Sequence, residues 1–162
     1  MSYLAIAFLL FMSLGSSTGL AAGVLKLSRT ELRFTPDEPQ GELYAQNIGD
    51  SPLYLEVEQQ LVLNPGQTPE RLLPIHDVQR PSLLVTPGRL VLAPGQKYGL
   101  TLKALNIPTH NQVWRITFRP RERLIVEAST DAGQPAPLAV SVGYGVVIYQ
   151  RAANNPLRPV ME

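Results

Sequence analysis

The sequence predicts an all-β chain, an immunoglobulin-like antiparallel β-sandwich of about seven strands. Three observations carry that expectation. Fifteen prolines are spread through 162 residues instead of clustering, about twice ordinary usage, which favours many short elements separated by turns. Apolar residues recur at every second position in short runs, the period of a half-buried strand. Turn dipeptides punctuate those runs at regular intervals, and no stretch carries the period of an amphipathic helix.

Taken in order, Val24 to Phe34 alternates through Leu25, Leu27, Leu32 and Phe34, with a change of phase near Ser28–Arg29. Such a change marks a bulge or a strand that passes from one sheet to the other. Thr35 to Gly41 is a turn. The next strand offers Leu43, Ala45 and Ile48 as its inward set. Leu53 to Glu58 alternates cleanly, with Glu56 and Glu58 towards water, and continues through Leu61–Leu63 to Asn64-Pro65-Gly66, a strong turn signal. Thr68 to Pro81 reads as irregular. Ser82 to Thr86 is a short strand halted by Pro87-Gly88; Leu90 and Leu92 follow, then a turn at Pro94-Gly95. Tyr98, Leu100, Leu102 and Ala104 alternate in the next strand. Trp114, Ile116 and Phe118 share one face of another, so Trp114 is expected in the core. Pro120 to Ala136 reads as a long loop.

The last strand is the one with the clearest pattern. Leu138, Val140, Val142, Tyr144, Val146 and Ile148 occupy every second position, with Ala139, Ser141, Gly143, Gly145 and Val147 between them. One face is a ridge of bulky apolar groups and the other is small. Periodicity allows two readings: a core strand of the sandwich, or an edge strand whose ridge is offered to another protein.

Composition narrows the function. The formal net charge of +1 is not that of a nucleic-acid binder. Three basic and eight acidic residues lie up to Glu70, eleven basic and five acidic from Arg71 onward. Arg119, Arg121 and Arg123 are expected as a solvated basic run. Leu4 to Met12 is an unbroken apolar run, too short to span a bilayer. Small residues follow, and Gly19-Leu20-Ala21 fits a cleavage site, although no charge precedes Lys26. Residues 1–21 are expected to be a secretory signal peptide. The chain has no cysteine, which excludes disulfides and thiol chemistry. His76 and His110 stand apart from any second ligand, Ser82 lacks a nucleophile elbow, and Gly143-Tyr144-Gly145 does not open a helix. An enzyme is not expected, nor a metal site or a cofactor.

Several stretches, in order, resemble the PapD-like N-terminal domain of periplasmic chaperones of the chaperone–usher pilus pathway, in the alternative branch that serves CS1-type fimbriae. The carrying residues are Asn47-Ile48-Gly49-Asp50-Ser51-Pro52-Leu53-Tyr54-Leu55, Asn64-Pro65-Gly66 with Pro69-Glu70, Arg80 to Pro87, Leu92-Ala93-Pro94-Gly95-Gln96, Trp114 to Pro120, and Val142 to Ile148. The resemblance implies two immunoglobulin-like domains, the first of which lends its last strand to a pilus or fimbrial subunit (pilin) that lacks one. The lending strand would be Leu138 to Ile148, with the six ridge residues as donors. Each large side chain buried contributes about 1.5–3 kcal/mol before ordering costs. On this reading Val142→Arg and Val146→Arg would each abolish the complex without unfolding the domain.

The family also anchors the subunit's C-terminal carboxylate with two basic residues, here Arg29 and Arg151, with Glu31 or Arg33 as other occupants of the aligned place on the first strand. The implied location is the periplasm, with delivery to an outer-membrane usher and no nucleic acid or small-molecule substrate. The expected organisation is a signal peptide at 1–21, the immunoglobulin-like domain at 24–151 and a linker-like tail at 152–162 where the family has a second domain. The competing expectation is an exported immunoglobulin-like structural or adhesion domain without chaperone activity.

Overall fold

The computed structural model describes residues 23–39, 41–121, 124–129, 135–140 and 142–153, with backbone alone for 124–129 and 135–140. The segment expected as a signal peptide and most of the tail lie outside these residues. The strands are β1 (Leu25–Leu27), β2 (Glu31–Phe34), β3 (Leu43–Asn47), β4 (Leu53–Val62), β5 (Leu72–Pro74), β6 (Leu83–Thr86), β7 (Arg89–Leu92), β8 (Lys97–Ala104), β9 (Gln112–Pro120), β10 (Leu124–Ser129), β11 (Pro135–Val140) and β12 (Tyr144–Gln150). One four-stranded sheet has the order β1-β3-β8-β6. The other runs β2-β12-β9-β4-β5, with β7 also on β4, and β10 pairs β11 in a separate hairpin.

The phase change at Ser28–Arg29 is where the first strand changes sheets. β1 pairs antiparallel with β3, whereas β2 pairs in parallel with β12. Ser28 secures the corner: its Oγ accepts from the Tyr44 N–H at 2.9 Å, and its own N–H donates to the Tyr44 carbonyl at 3.0 Å. The crossing lets Leu25 face the core from one sheet and Leu32 and Phe34 from the other. Trp114, Ile116 and Phe118 form the centre of that core from β9, each fully buried beside Leu43, Leu55 and Leu92.

Buried polar groups are tied to backbone. Asn47 Nδ2 donates to the carbonyls of Ser51 and Leu92, and its Oδ1 accepts from the N–H of Val24 and of Gly49. Gln59 reaches from β4 to β6, donating to the Leu83 carbonyl at 2.8 Å and accepting from the Val85 N–H at 3.0 Å. Its amide thus occupies backbone groups of an edge strand, as a neighbouring strand would. Gln150 accepts from Trp114 Nε1 at 3.2 Å, meets the Ser82 hydroxyl, and donates to the carbonyls of Ser82 and Asn106.

Three expectations are corrected. Ile48 is 55% exposed, and Asn47 is buried in its stead, because the inward parity of Leu43 and Ala45 continues to 47. The stretch from Thr68 to Pro81 contains β5 and a 3-10 turn at Ile75–Asp77. The expected loop from Pro120 to Ala136 contains β10 and the start of β11. Arg119 and Arg121 are solvent-exposed, as expected, and they pair across the sheet, Arg119 with Glu58 at 3.0 Å and Arg121 with Glu56 at 2.9 Å, while Arg123 lies outside the described residues.

Candidate functional site: an open strand edge

β12 is held on both sides, but not along its whole length. β9 pairs it from Tyr144 to Gln150, and β2 pairs it only from Val147 to Gln150. Among the described residues, Tyr144 to Val146 therefore have no paired strand on the β2 side, and β11 pairs only with β10. Val142 and Gly143 are the described residues between β11 and β12.

The other edges are short or occupied. β1 and β5 span three residues each and β2 four. The β6 edge carries the Gln59 amide. A long edge without such protection is the feature that soluble sheet proteins ordinarily avoid.

The ridge divides along this edge. Ile148 and Val146 are fully buried in the chain's own core, Tyr144 is half-buried against it, and Val142 is 46% exposed. Leu138 and Val140 lie in β11, whose backbone alone is described. Side chains of one parity thus pass from core to solvent as β12 gives way to β11. Val146 and Ile148 are committed to the chain's own sandwich, so the expectation that all six are available to a partner is corrected for these two. The expectation that Val146→Arg leaves the fold intact falls with it, because an unpaired charge would enter a closed core.

The two expected anchor residues are also separated. The Val147 N–H donates to the Thr30 carbonyl and the Arg151 N–H to the Phe34 carbonyl, both at 2.9 Å. Arg29 stands just before the first of these contacts and Arg151 at the last. In the register of β2 on β12 Arg151 falls opposite Thr35, six residues on from Arg29, an offset of about 20 Å at about 3.3 Å per residue, too far for one carboxylate to meet both. Arg151 instead shares a cavity of about 280 Å³ with Arg33, Phe34 and Tyr149. Arg33 is turned to Glu31 at 2.8 Å, with its guanidinium 5.8 Å from the Tyr149 ring centroid. Arg115 is half-buried and pairs with Glu70 at 2.7 Å. Among the described residues, no group of three His, Asp or Glu side chains is arranged to hold a metal.

No protein-family model matches the chain, and comparison with curated protein sequences finds no match. Solved structures do match. A chaperone–tip adhesin complex described as vital for synergistic activation of CFA/I fimbriae biogenesis superposes with a TM-score of 0.65 at 17% identity, over 81% of this chain and 57% of that one. The class 5 fimbriae chaperone CfaA gives 0.63 at 18% identity, again over 81% and 57%. The CsuC–CsuE chaperone–tip adhesion subunit complex from the archaic chaperone-usher Csu pili of Acinetobacter baumannii gives 0.59 at 10%, over 82% and 59%. The chain thus spans under three fifths of the length of these chains. At such identities the likeness is one of fold. The chain has the immunoglobulin-like, PapD-like sandwich that these fimbrial chaperones share.

Proposed function

We propose that the chain is a chaperone domain that binds a pilus or fimbrial subunit by lending it the β11–β12 edge. The observation that carries the reading is the exposure gradient along one parity of the chain, from Ile148 and Val146 of β12 in the core to Val142, just before β12, in solvent. The free edge supplies backbone hydrogen bonds to a strand placed beside it. The ridge supplies side chains to a groove that would otherwise expose apolar surface. The donors on this reading are Leu138, Val140, Val142 and Tyr144. A strand running parallel to β12 on this edge would be collinear with β2 and end beside Arg29. Arg29 is exposed and so is the residue to meet a terminal carboxylate through a charge-assisted contact. The compartment that goes with this activity is the periplasm, with delivery of the subunit to an outer-membrane usher as the following step.

The test is co-purification of the full chain with a co-expressed fimbrial subunit lacking its last strand. Val142→Arg is expected to abolish the complex while melting like wild type, and Arg29→Ala to weaken it. Wild-type complex formation by Val142→Arg would refute the reading. It would then favour an exported domain that uses β12 for its own core alone, as Val146 and Ile148 already do.

A further inference from the structure

The chain has three lysines, Lys26, Lys97 and Lys103, and the fold gathers all three on one face. In the four-stranded sheet Leu25, Ala45, Leu100 and Val85 are buried, one in each strand, so the residues of the other parity point outwards. Those include Lys26 on β1, Tyr44 and Gln46 on β3, and Lys97, Gly99 and Lys103 on β8. The four strands contain no Asp or Glu; Glu42 stands one residue before β3.

The outer face of the other sheet is charged too, but its charges are matched. Arg33 pairs with Glu31, Arg89 with Glu56, Arg119 with Glu58 and Arg115 with Glu70. Among the described residues none of the three lysines pairs with a carboxylate. A lysine on an edge strand discourages strand pairing, which accounts for Lys26 on β1 but not for all three, since β8 lies between β3 and β6. Lys97 is also held in place. Its ammonium sits 4.1 Å from the Tyr44 ring centroid, a cation–π contact. That ring lies against Gly99, where a Cβ would come within 3.1 Å of its Cε1.

The spacing of the lysines selects the partner. Lys26, Gln46 and Lys97 share one cross-strand row, so the two lysines stand about 10 Å apart at about 4.8 Å per strand. Lys103 is six residues along β8 from Lys97, about 20 Å at about 3.3 Å per residue. Both separations exceed the screening length of about 8 Å at physiological salt, so each ammonium needs an anion of its own. An extended acidic segment along β8 would meet Lys97 and Lys103 and leave Lys26; one along the row would leave Lys103. We propose that the outer face of the β1-β3-β8-β6 sheet rests on an anionic phospholipid surface through Lys26, Lys97 and Lys103. Headgroup phosphates are many and move laterally, so each lysine meets one as a point charge. β12 belongs to the other sheet, which a chain seated in this way turns towards water.

The experiment floats the full chain with vesicles of phosphatidylcholine alone, or with about a third phosphatidylglycerol, at low and high salt. No charged side chain precedes Lys26, so the uncharged vesicles measure what the apolar N-terminal run contributes. At about fivefold per lysine, wild type should prefer the anionic vesicles by about a hundredfold and lose that preference in high salt. K26Q/K97Q/K103Q, checked by its melting curve, should lose the preference, and K26R/K97R/K103R should keep it. K26Q/K103Q, which leaves Lys97 on Tyr44, should lose about 25-fold. R89Q/R119Q/R121Q lowers the net charge by as much and should stay within about threefold of wild type. A wild-type preference under about fivefold, equal losses in the arginine and lysine-to-glutamine variants, or no loss in the latter would each overturn the proposal. Binding to soluble polyglutamate without preference for anionic vesicles would assign the face to an acidic protein and overturn it as well.

Discussion

Truncating Val146 and Val142 to alanine removes the same two methyl groups from one strand face, yet the structure assigns them different costs. Val146 is fully buried between Trp114, Ile116 and Phe118 of the adjacent strand and the opposite sheet. Losing two methyl groups there forfeits about 1.6 kcal/mol of transfer free energy at about 0.8 per carbon. The cavity left behind brings the total to about 2–3 kcal/mol. Val142 is 46% exposed, so the same deletion should cost about 0.5–1 kcal/mol, with no cavity. A domain of this size loses about 3–5 °C of Tm per kcal/mol. Val146→Ala should therefore lower Tm by about 6–15 °C and Val142→Ala by about 2–5 °C. Calorimetry and urea unfolding of the full chain measure both. Equal shifts at the two positions, or a shift under about 2 °C for Val146→Ala, would refute the division of the ridge.

Three further outcomes are expected. Gln150→Leu removes the acceptor of Trp114 Nε1 and the partner of the Ser82 hydroxyl, and should destabilise by about 2–4 kcal/mol; fluorescence of Trp114, the single tryptophan, follows the unfolding. Gln59→Leu frees the Leu83 carbonyl and the Val85 N–H; it should cost about 2 kcal/mol and make the chain associate with rising concentration in sedimentation velocity, because the β6 edge is no longer occupied. Glu56→Gln loses ion pairs to Arg121 and Arg89 that are largely solvent-exposed; it should cost under about 1 kcal/mol, and that small difference should vanish in high salt.

The sandwich was legible because its strands obey a period of two and its turns are written in Pro, Gly and Asn. Trp114, Ile116 and Phe118 could be placed on one face, and even the sheet crossing at Ser28–Arg29 showed as a phase change. The polar anchors were harder to see. Asn47, Gln59 and Gln150 occupy inward positions that an apolar pattern passes over, and their partners are backbone groups 24 to 68 residues away for Gln59 and Gln150. β10 and the start of β11 were missed because Glu127 and the prolines interrupt any alternation.

The sequence by itself determined the parity of Leu138 to Ile148: a bulky face, a small face, and prolines placed before them. It could not say what lies opposite each side chain or beside each N–H group, since burial and pairing depend on elements far away in the chain. Only the tertiary structure decided that β2 stops at the level of Val147, that Val146 and Ile148 meet the chain's own core, and that Val142 does not. The same decision separated Arg29 from Arg151, because the parallel register of β2 on β12 places them at opposite ends of a shared stretch.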